Sequence, residues 1–399
     1  MSTTDHIQAL AELMVRFGAN VQPGQLVSIG SEPGKEPLTR AIAEQCYLAG
    51  AKFVDVATFD LHVKRSRARH ADPDTLDWVP PWYGERMRAL VDMEAAAISL
   101  SGTVEPHLMD GIDASLLGRD MLPRVKESIA VVEERRVNWT VGPCPTPGWA
   151  KLVYPDLEEA AALSRLWDQI AYVCRLTDGD PVAAWDARME KLLAVAAKLD
   201  GLALDALHFE GPGTDLTVGL LAGSRWMAAK LETVGGIVHR PNLPTEEVFT
   251  TPDPTRTEGV VTSTKPLFVS GVAITGLRVR FEAGRAVEIS AEQGAGTLQA
   301  LCDRDAGGAR LGEVALVDRE SRIGGTDTVF FDTLLDENAA SHIALGQGLG
   351  FAVQDEDRQR MNQSQIHIDF MIGGHQVAVT GVPRDGAEIP LLRDGDWQI

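Results

Sequence analysis

The chain has 399 residues, more than one hydrophobic core usually organises, so two domains are expected. Its formal charge of -20 argues against nucleic acid as a partner, because phosphate binding needs a basic surface, while the apolar share of 44% contains no run long enough to span a membrane. Four cysteines without a CxxC pair (Cys46, Cys144, Cys174 and Cys302) argue against a disulfide framework or a thiolate zinc site, and with no basic-then-apolar start they place the expected location in the cytoplasm.

Ile7, Leu10, Leu13, Met14 and Phe17 recur at helical spacing behind a Thr4 or Asp5 cap. Leu26 to Ile29 reads as a short buried strand, 36–50 as a helix ending at Gly50, and Phe53 to Val56 as a second strand. Apolar runs at Ala96–Leu100 and Ile129–Val132 continue the alternation, which predicts an open α/β layer of mostly parallel strands. Helical patterns over 157–176 and 181–199 lead out of this layer. Beyond residue 200, Gly and Thr become frequent, and the runs Leu267–Val272, Leu277–Phe281, Val287–Ile289 and Val314–Val317 read as antiparallel strands. The fold class is therefore α/β: an N-terminal open α/β domain over 1–198, then a C-terminal α+β domain over 199–399 with mostly antiparallel strands.

The most informative segment is QIHIDFMI at 365–372. Strand side chains alternate faces, so Ile366, Ile368, Phe370 and Ile372 share one side while His367 and Asp369 share the other, as convergent metal ligands would. A half-buried strand with a polar face has the same pattern. In DENAASH at 336–342, Asp336 reads as a helix cap and Glu337 as a first-turn carboxylate favoured by the helix dipole, with His342 a turn further on. Glu246 and Glu247 in PTEEVFT and Glu313 in LGEVALV supply further carboxylates at strand edges.

Glu247, Glu313, Glu337, His342, His367 and Asp369 together make four carboxylates and two imidazoles. That donor set suits two divalent ions with one carboxylate bridging, and the ions would relieve the mutual repulsion of the carboxylates. Glu246, beside Glu247, is the candidate general base, provided that the segment is irregular enough for neighbouring side chains to converge. No phosphate-binding glycine loop, GxSxG elbow or HExxH helix competes with this reading, and His208, His239 and His375 are assigned structural or surface roles.

PTEEVFT, RLGEVALV, DENAASHIALG and NQSQIHIDFMIGG, in this order, resemble the signature blocks of the thermophilic aminopeptidase family, the aminopeptidase T and aminopeptidase S group. HFEGPGTDLTVGL and PTPGWAKLVYPD are also similar to family segments, so the resemblance spans nearly the whole chain. It implies a C-terminal dinuclear zinc, cobalt or manganese site, a homodimer, and release of N-terminal amino acids from peptides. Carried over block by block, the metal ligands fall on Glu247, Glu313, Glu337, His342, His367 and Asp369, with Glu313 at the bridging position. One position departs: Leu349 stands where the family usually has a tyrosine thought to assist at the transition state. The alternatives are a metal-dependent amidase for a non-peptide metabolite and, from His342, His367 and Asp369 alone, a mononuclear iron ring-cleaving dioxygenase.

Overall fold

The computed structural model describes residues 2–120, 122, 123, 125–269 and 272–399. The chain divides into two compact units: Met1–Ala187 with Ala229–Thr245, and Arg188–Ala228 with Glu246–Ile399. The sequence reading sets the divide at 198/199, whereas these units part within the helix Pro181–Gly201, and residues 229–245 group with the first unit. Helical periodicity shows that a helix is buried but not which core each turn joins: Met189, Leu192, Ala196 and Leu199 already belong to the core of the second unit.

In the first unit, β1 (Leu26–Ser31), β2 (Phe53–Thr58), β3 (Ala96–Ser101) and β4 (Asn138–Pro143) form a parallel sheet in the order β2-β1-β3-β4. Val27, Ile29 and Ile98 are buried in it, and helices Thr3–Leu13, Glu36–Leu48 and Glu159–Val173 supply the connecting layers. Three expectations are corrected. The first helix is capped by Ser2, whose Oγ accepts from the Asp5 N–H while the Asp5 carboxylate accepts from the Ser2 N–H, a reciprocal pair that outcompetes Thr4 or Asp5 as the cap. The helix expected to run to Gly50 ends at Leu48, and Gly50 takes φ +89° in the turn behind it. Ile129–Val132 lies inside the helix Ser128–Glu133, and the fourth strand is Asn138–Pro143. A four-residue apolar run does not distinguish the two states, and Asn138 disguises the strand because its buried amide donates to the Ala19 carbonyl.

Among the described residues, the second unit holds two large antiparallel sheets and one antiparallel pair of short strands. The larger runs in the order Arg285–Ser290, Arg278–Glu282, Pro252–Thr262, Thr214–Leu220, Leu204–Gly211, Ala378–Pro383, Ile389–Arg393, Asp396–Trp397. The smaller runs His367–Met371, His342–Gly346, Leu311–Val317, Glu247–Thr250, Met227–Ala228. The run expected as one strand over Leu267–Val272 is instead the pair Leu267–Val269 and Val272–Ile274, with Ser270 and Gly271 outside the described residues. No helix among the described residues is long and apolar enough to cross a membrane.

Candidate metal centre

Four neighbouring strands of the smaller sheet carry the acidic and imidazole residues, and register decides where they point. Glu313 pairs with Ala344, which pairs with Asp369; Gly346 pairs with His367, Ala315 with His342, and Glu247 with Val317. Directly opposed residues share a face, so Glu247, Glu313, His342, His367 and Asp369 emerge on one side of the sheet. Val248, Val314, Leu316, Ile343, Leu345, Ile368 and Phe370 occupy the other side and join the hydrophobic core. The intervening positions on the polar face are small: Ala315, Ala344 and Gly346. Gly346 is required twice over, by φ +108° and because a Cβ there would come within 2.1 Å of the Ile366 carbonyl oxygen.

The donor atoms gather into two groups: Glu247, Glu313 and His342, and Glu313, His367 and Asp369, each with ligand atoms within 4.8 Å of one another. Glu313 belongs to both. His342 Nε2 lies 3.1 Å from Glu247 Oε2, and His367 Nε2 lies 3.0 Å from Glu313 Oε2 and 3.4 Å from Asp369 Oδ1. Both rings are oriented from behind, with His342 Nδ1 at 3.2 Å from the Ala340 carbonyl and His367 Nδ1 at 2.8 Å from that of Gln347. A carbonyl only accepts, so each Nδ1 carries the proton and each Nε2 is turned to the carboxylates, the orientation a metal-binding imidazole needs.

Glu337 is buried outside these two groups but electrostatically part of them. Its carboxyl is pushed well above its ordinary range by burial and then by the charges of Asp369 and Glu247. Glu313 is likewise raised, by burial first. Burial opposes charge on the histidines, yet the surrounding carboxylates outweigh it: His342 is raised to about 10 by Glu247, Asp369 and Glu313, and His367 is raised well above its usual value by Asp369 and Glu313. Burial also works against the Asp369 carboxylate, but His367 pulls it below its usual value. The cluster thus draws positive charge onto itself, and divalent ions held by carboxylate oxygen and imidazole nitrogen suit that demand. Glu247 Oε2 supports the fit: it is buried with no aligned hydrogen-bond donor among the described residues.

The helix expected to start at Asp336 in fact ends there. The helix is Thr333–Asp336, a 3-10 turn follows over Glu337–Ala339, and His342 opens a strand instead of sitting a turn along a helix. Asp336 is no N-cap: its buried carboxylate accepts from the Phe330 and Asp332 N–H groups, and burial raises it to about 7. Glu246 immediately precedes its strand and is fully buried. Its carboxylate accepts from Arg188 Nε at 2.6 Å, and its N–H donates to Asn338 Oδ1 at 2.6 Å. Asn338 lies inside the DENAASH block, whereas nothing in the local sequence pattern marks Arg188.

An acidic cluster with two oriented imidazoles has the donor chemistry of a divalent-metal site. Residues 3–397 match the sequence model of the family described as thermophilic metalloprotease (M29). Aminopeptidase T of Thermus aquaticus is 42% identical, with 99% of each chain covered, and aminopeptidase 2 of Geobacillus stearothermophilus is 35% identical, covering 97% of this chain and 96% of the relative. The solved structure of wild-type AmpT from Thermus thermophilus superposes with a TM-score of 0.90 at 40% identity over the whole of both chains. The chain belongs to the thermophilic metalloprotease (M29) family. A 2,5-dihydroxypyridine dioxygenase from Pseudomonas putida, at 12% identity and TM-score 0.52 over 100% of this chain and 98% of that one, shares the fold alone.

Proposed function

We propose that this metallo-aminopeptidase removes N-terminal amino acids from peptides with two divalent ions, one in each donor group, and with Glu313 between them. The membership of Glu313 in both groups carries the reading. Glu247 and His342 would complete one coordination shell and His367 and Asp369 the other, with Glu337 beside Asp369 and Glu247 by its electrostatic coupling. Zinc, cobalt or manganese fits the oxygen and nitrogen donors. Divalent ions bound there supply an activated water and a Lewis acid at neutral pH. The protein's own part is to hold the donors on one face and to orient both imidazoles through the Ala340 and Gln347 carbonyls. Glu246 remains the base candidate, and its bonds to Arg188 and Asn338 tie it to the strand ends beside the donor set. Four buried, unbridged cysteines support a reducing, cytoplasmic compartment, and the family resemblance supports a homodimer.

Elemental analysis with a panel of aminoacyl anilides and short peptides tests this reading. Two divalent ions per chain and stepwise release of N-terminal residues are expected. One iron per chain with oxygen consumption on an aromatic substrate would overturn it in favour of the dioxygenase.

Leu349 keeps a second substrate class open. Its N–H donates to Thr251 Oγ1 at 2.9 Å, and that hydroxyl donates back to the Leu349 carbonyl at 3.1 Å, so the backbone there is fixed while the side chain stays partly exposed. A phenol that acts only on a developing oxyanion raises kcat and leaves KM unchanged. Leu349→Tyr is therefore expected to raise kcat on leucine or alanine anilides about 100-fold, the lower end of what one such donor contributes. If no aminoacyl substrate gains, Leu349 shapes a pocket for another amide, and the amidase reading takes precedence.

A further inference from the structure

The ligand strands are short, and the residues that fix their ends lie outside the donor set. Arg188 is 5% exposed and faces three carboxylates: its Nε donates to Glu246 Oε2 at 2.6 Å, its Nη2 to Asp318 Oδ1 at 2.9 Å, and its Nη1 to Asp318 Oδ2 at 3.2 Å and to the more exposed Glu320 Oε2 at 3.4 Å. Glu246 immediately precedes ligand Glu247, and Asp318 immediately follows Val317, the residue paired with Glu247 across the sheet. One guanidinium therefore joins the ends of the strands that carry Glu247 and Glu313. Its planar fork suits this task, since it reaches both oxygens of Asp318 while its Nε holds Glu246. Trp397 Nε1 donates to Asp318 Oδ2 at 2.7 Å and fixes that carboxylate from a further side.

Asn338 closes the arrangement from the opposite segment. It is fully buried; its Oδ1 accepts from the Glu246 N–H at 2.6 Å, and its Nδ2 donates to the Leu334 carbonyl at 3.0 Å and to Glu337 Oε1 at 3.4 Å. Its own carbonyl accepts from Ser321 Oγ at 2.7 Å, in the loop that follows the Glu313 strand. Asn338 thus touches one ligand directly and the backbone next to another.

We propose that Arg188 and Asn338 are positioning residues which, with Glu246 as their shared partner, set the spacing between the ligands Glu247, Glu313 and Glu337. Neither residue belongs to the donor set, so they act through the ligands. The inference rests on the metal-site reading above. Asn338 bonds the ligand Glu337 directly, a position whose loss typically changes metal affinity about 10- to 100-fold, and Arg188 acts one step further out, through the residues beside Glu247 and Val317.

The test is metal affinity, measured by competition with a chromophoric chelator, together with the visible spectrum of the cobalt-substituted full-length protein. Arg188→Lys is the decisive variant, because it keeps the buried positive charge but cannot span Glu246 and Asp318. Asn338→Leu removes all three side-chain hydrogen bonds. Each is expected to weaken binding about 10- to 100-fold, to alter the cobalt spectrum, and to lower kcat with little change in KM. Glu246→Gln separates the two duties of that residue: lost affinity and an altered spectrum mark positioning, which supports the proposal. Wild-type affinity and spectrum in Arg188→Lys and Asn338→Leu overturn it, as does a loss of kcat in Glu246→Gln with both metal readouts unchanged. A wild-type protein that binds a single ion would refute the two-ion reading instead, and the variants would still be compared with it at that one ion.

Discussion

Glu313→Gln is expected to lower kcat/KM about a thousandfold and to strip the protein of both ions, a larger loss of metal than Glu337→Gln produces. The amide keeps the size of the carboxylate but loses its charge and one of its two acceptor oxygens, and Glu313 is the one residue common to both donor groups. A bridging carboxylate cannot be replaced at one ion alone, so its loss reaches both. Losing the Lewis acid and the activated water removes several kcal/mol of transition-state stabilisation, and each ~1.4 kcal/mol is tenfold in rate. Glu337 lies outside the two groups, and its replacement removes a charge that is already costly to bury. The measurement is metal content after dialysis, paired with steady-state kinetics on a leucine anilide. Two ions and near-normal turnover in Glu313→Gln would show that the carboxylate does not bridge.

Chelation is expected to abolish activity and to lower the melting temperature of the second unit by about 10 °C. Ligand present at about a thousand times its dissociation constant stabilises the native state by about 4 kcal/mol, and a unit of about 200 residues shifts about 2–4 °C per kcal/mol. The pH dependence of the metal-free protein gives a sharper test. His342 is raised from 6.5 to about 10 in the folded state, so its contribution is complete below about pH 6.5 and is lost as the pH climbs towards 10. His367 is raised in the same direction. Glu313 and Glu337 keep protons in the fold that the unfolded chain releases near 4.5, which also costs stability as the pH rises. Asp369, held below 3.8, acts in the opposite sense but only towards strong acid. Thermal melts of chelator-treated protein should therefore fall between pH 6.5 and 10, and reloading with zinc or cobalt should remove most of the slope. A metal-free melting temperature that stayed level or rose over that window would show that these groups do not share a buried field.

Much of this protein is legible in the sequence because its signals are local. Strand alternation in QIHIDFMI puts His367 and Asp369 on the face opposite Ile368 and Phe370, and the structure places both candidate ligands on that polar face. The change from parallel α/β to antiparallel texture near residue 200 follows from composition and turn residues, which act over a few positions. Even the small residues beside the ligands are visible, although Ala344 and Gly346 show their purpose only once register places them between charged neighbours.

Other features depended on chain segments that meet only after folding. DENAASH carries the marks of a helix start, yet the helix ends at Asp336: that carboxylate reaches back to accept from the Phe330 and Asp332 N–H groups, and His342 enters the ladder between the Glu313 and His367 strands. Local propensity cannot register a strand partner that lies more than twenty residues away. Glu246 shows the same limit. The sequence places it beside a ligand and so suggests a base, while the fold brings Arg188 from 58 residues upstream and Asn338 from 92 residues downstream to hold its two ends. The sequence by itself determined which candidate donors this protein carries and that His367 and Asp369 share one strand face, because side-chain alternation is a property of the backbone. Only the tertiary structure decided which candidate donors lie together and what holds them apart, because those distances are set by register and by buried hydrogen bonds between remote segments.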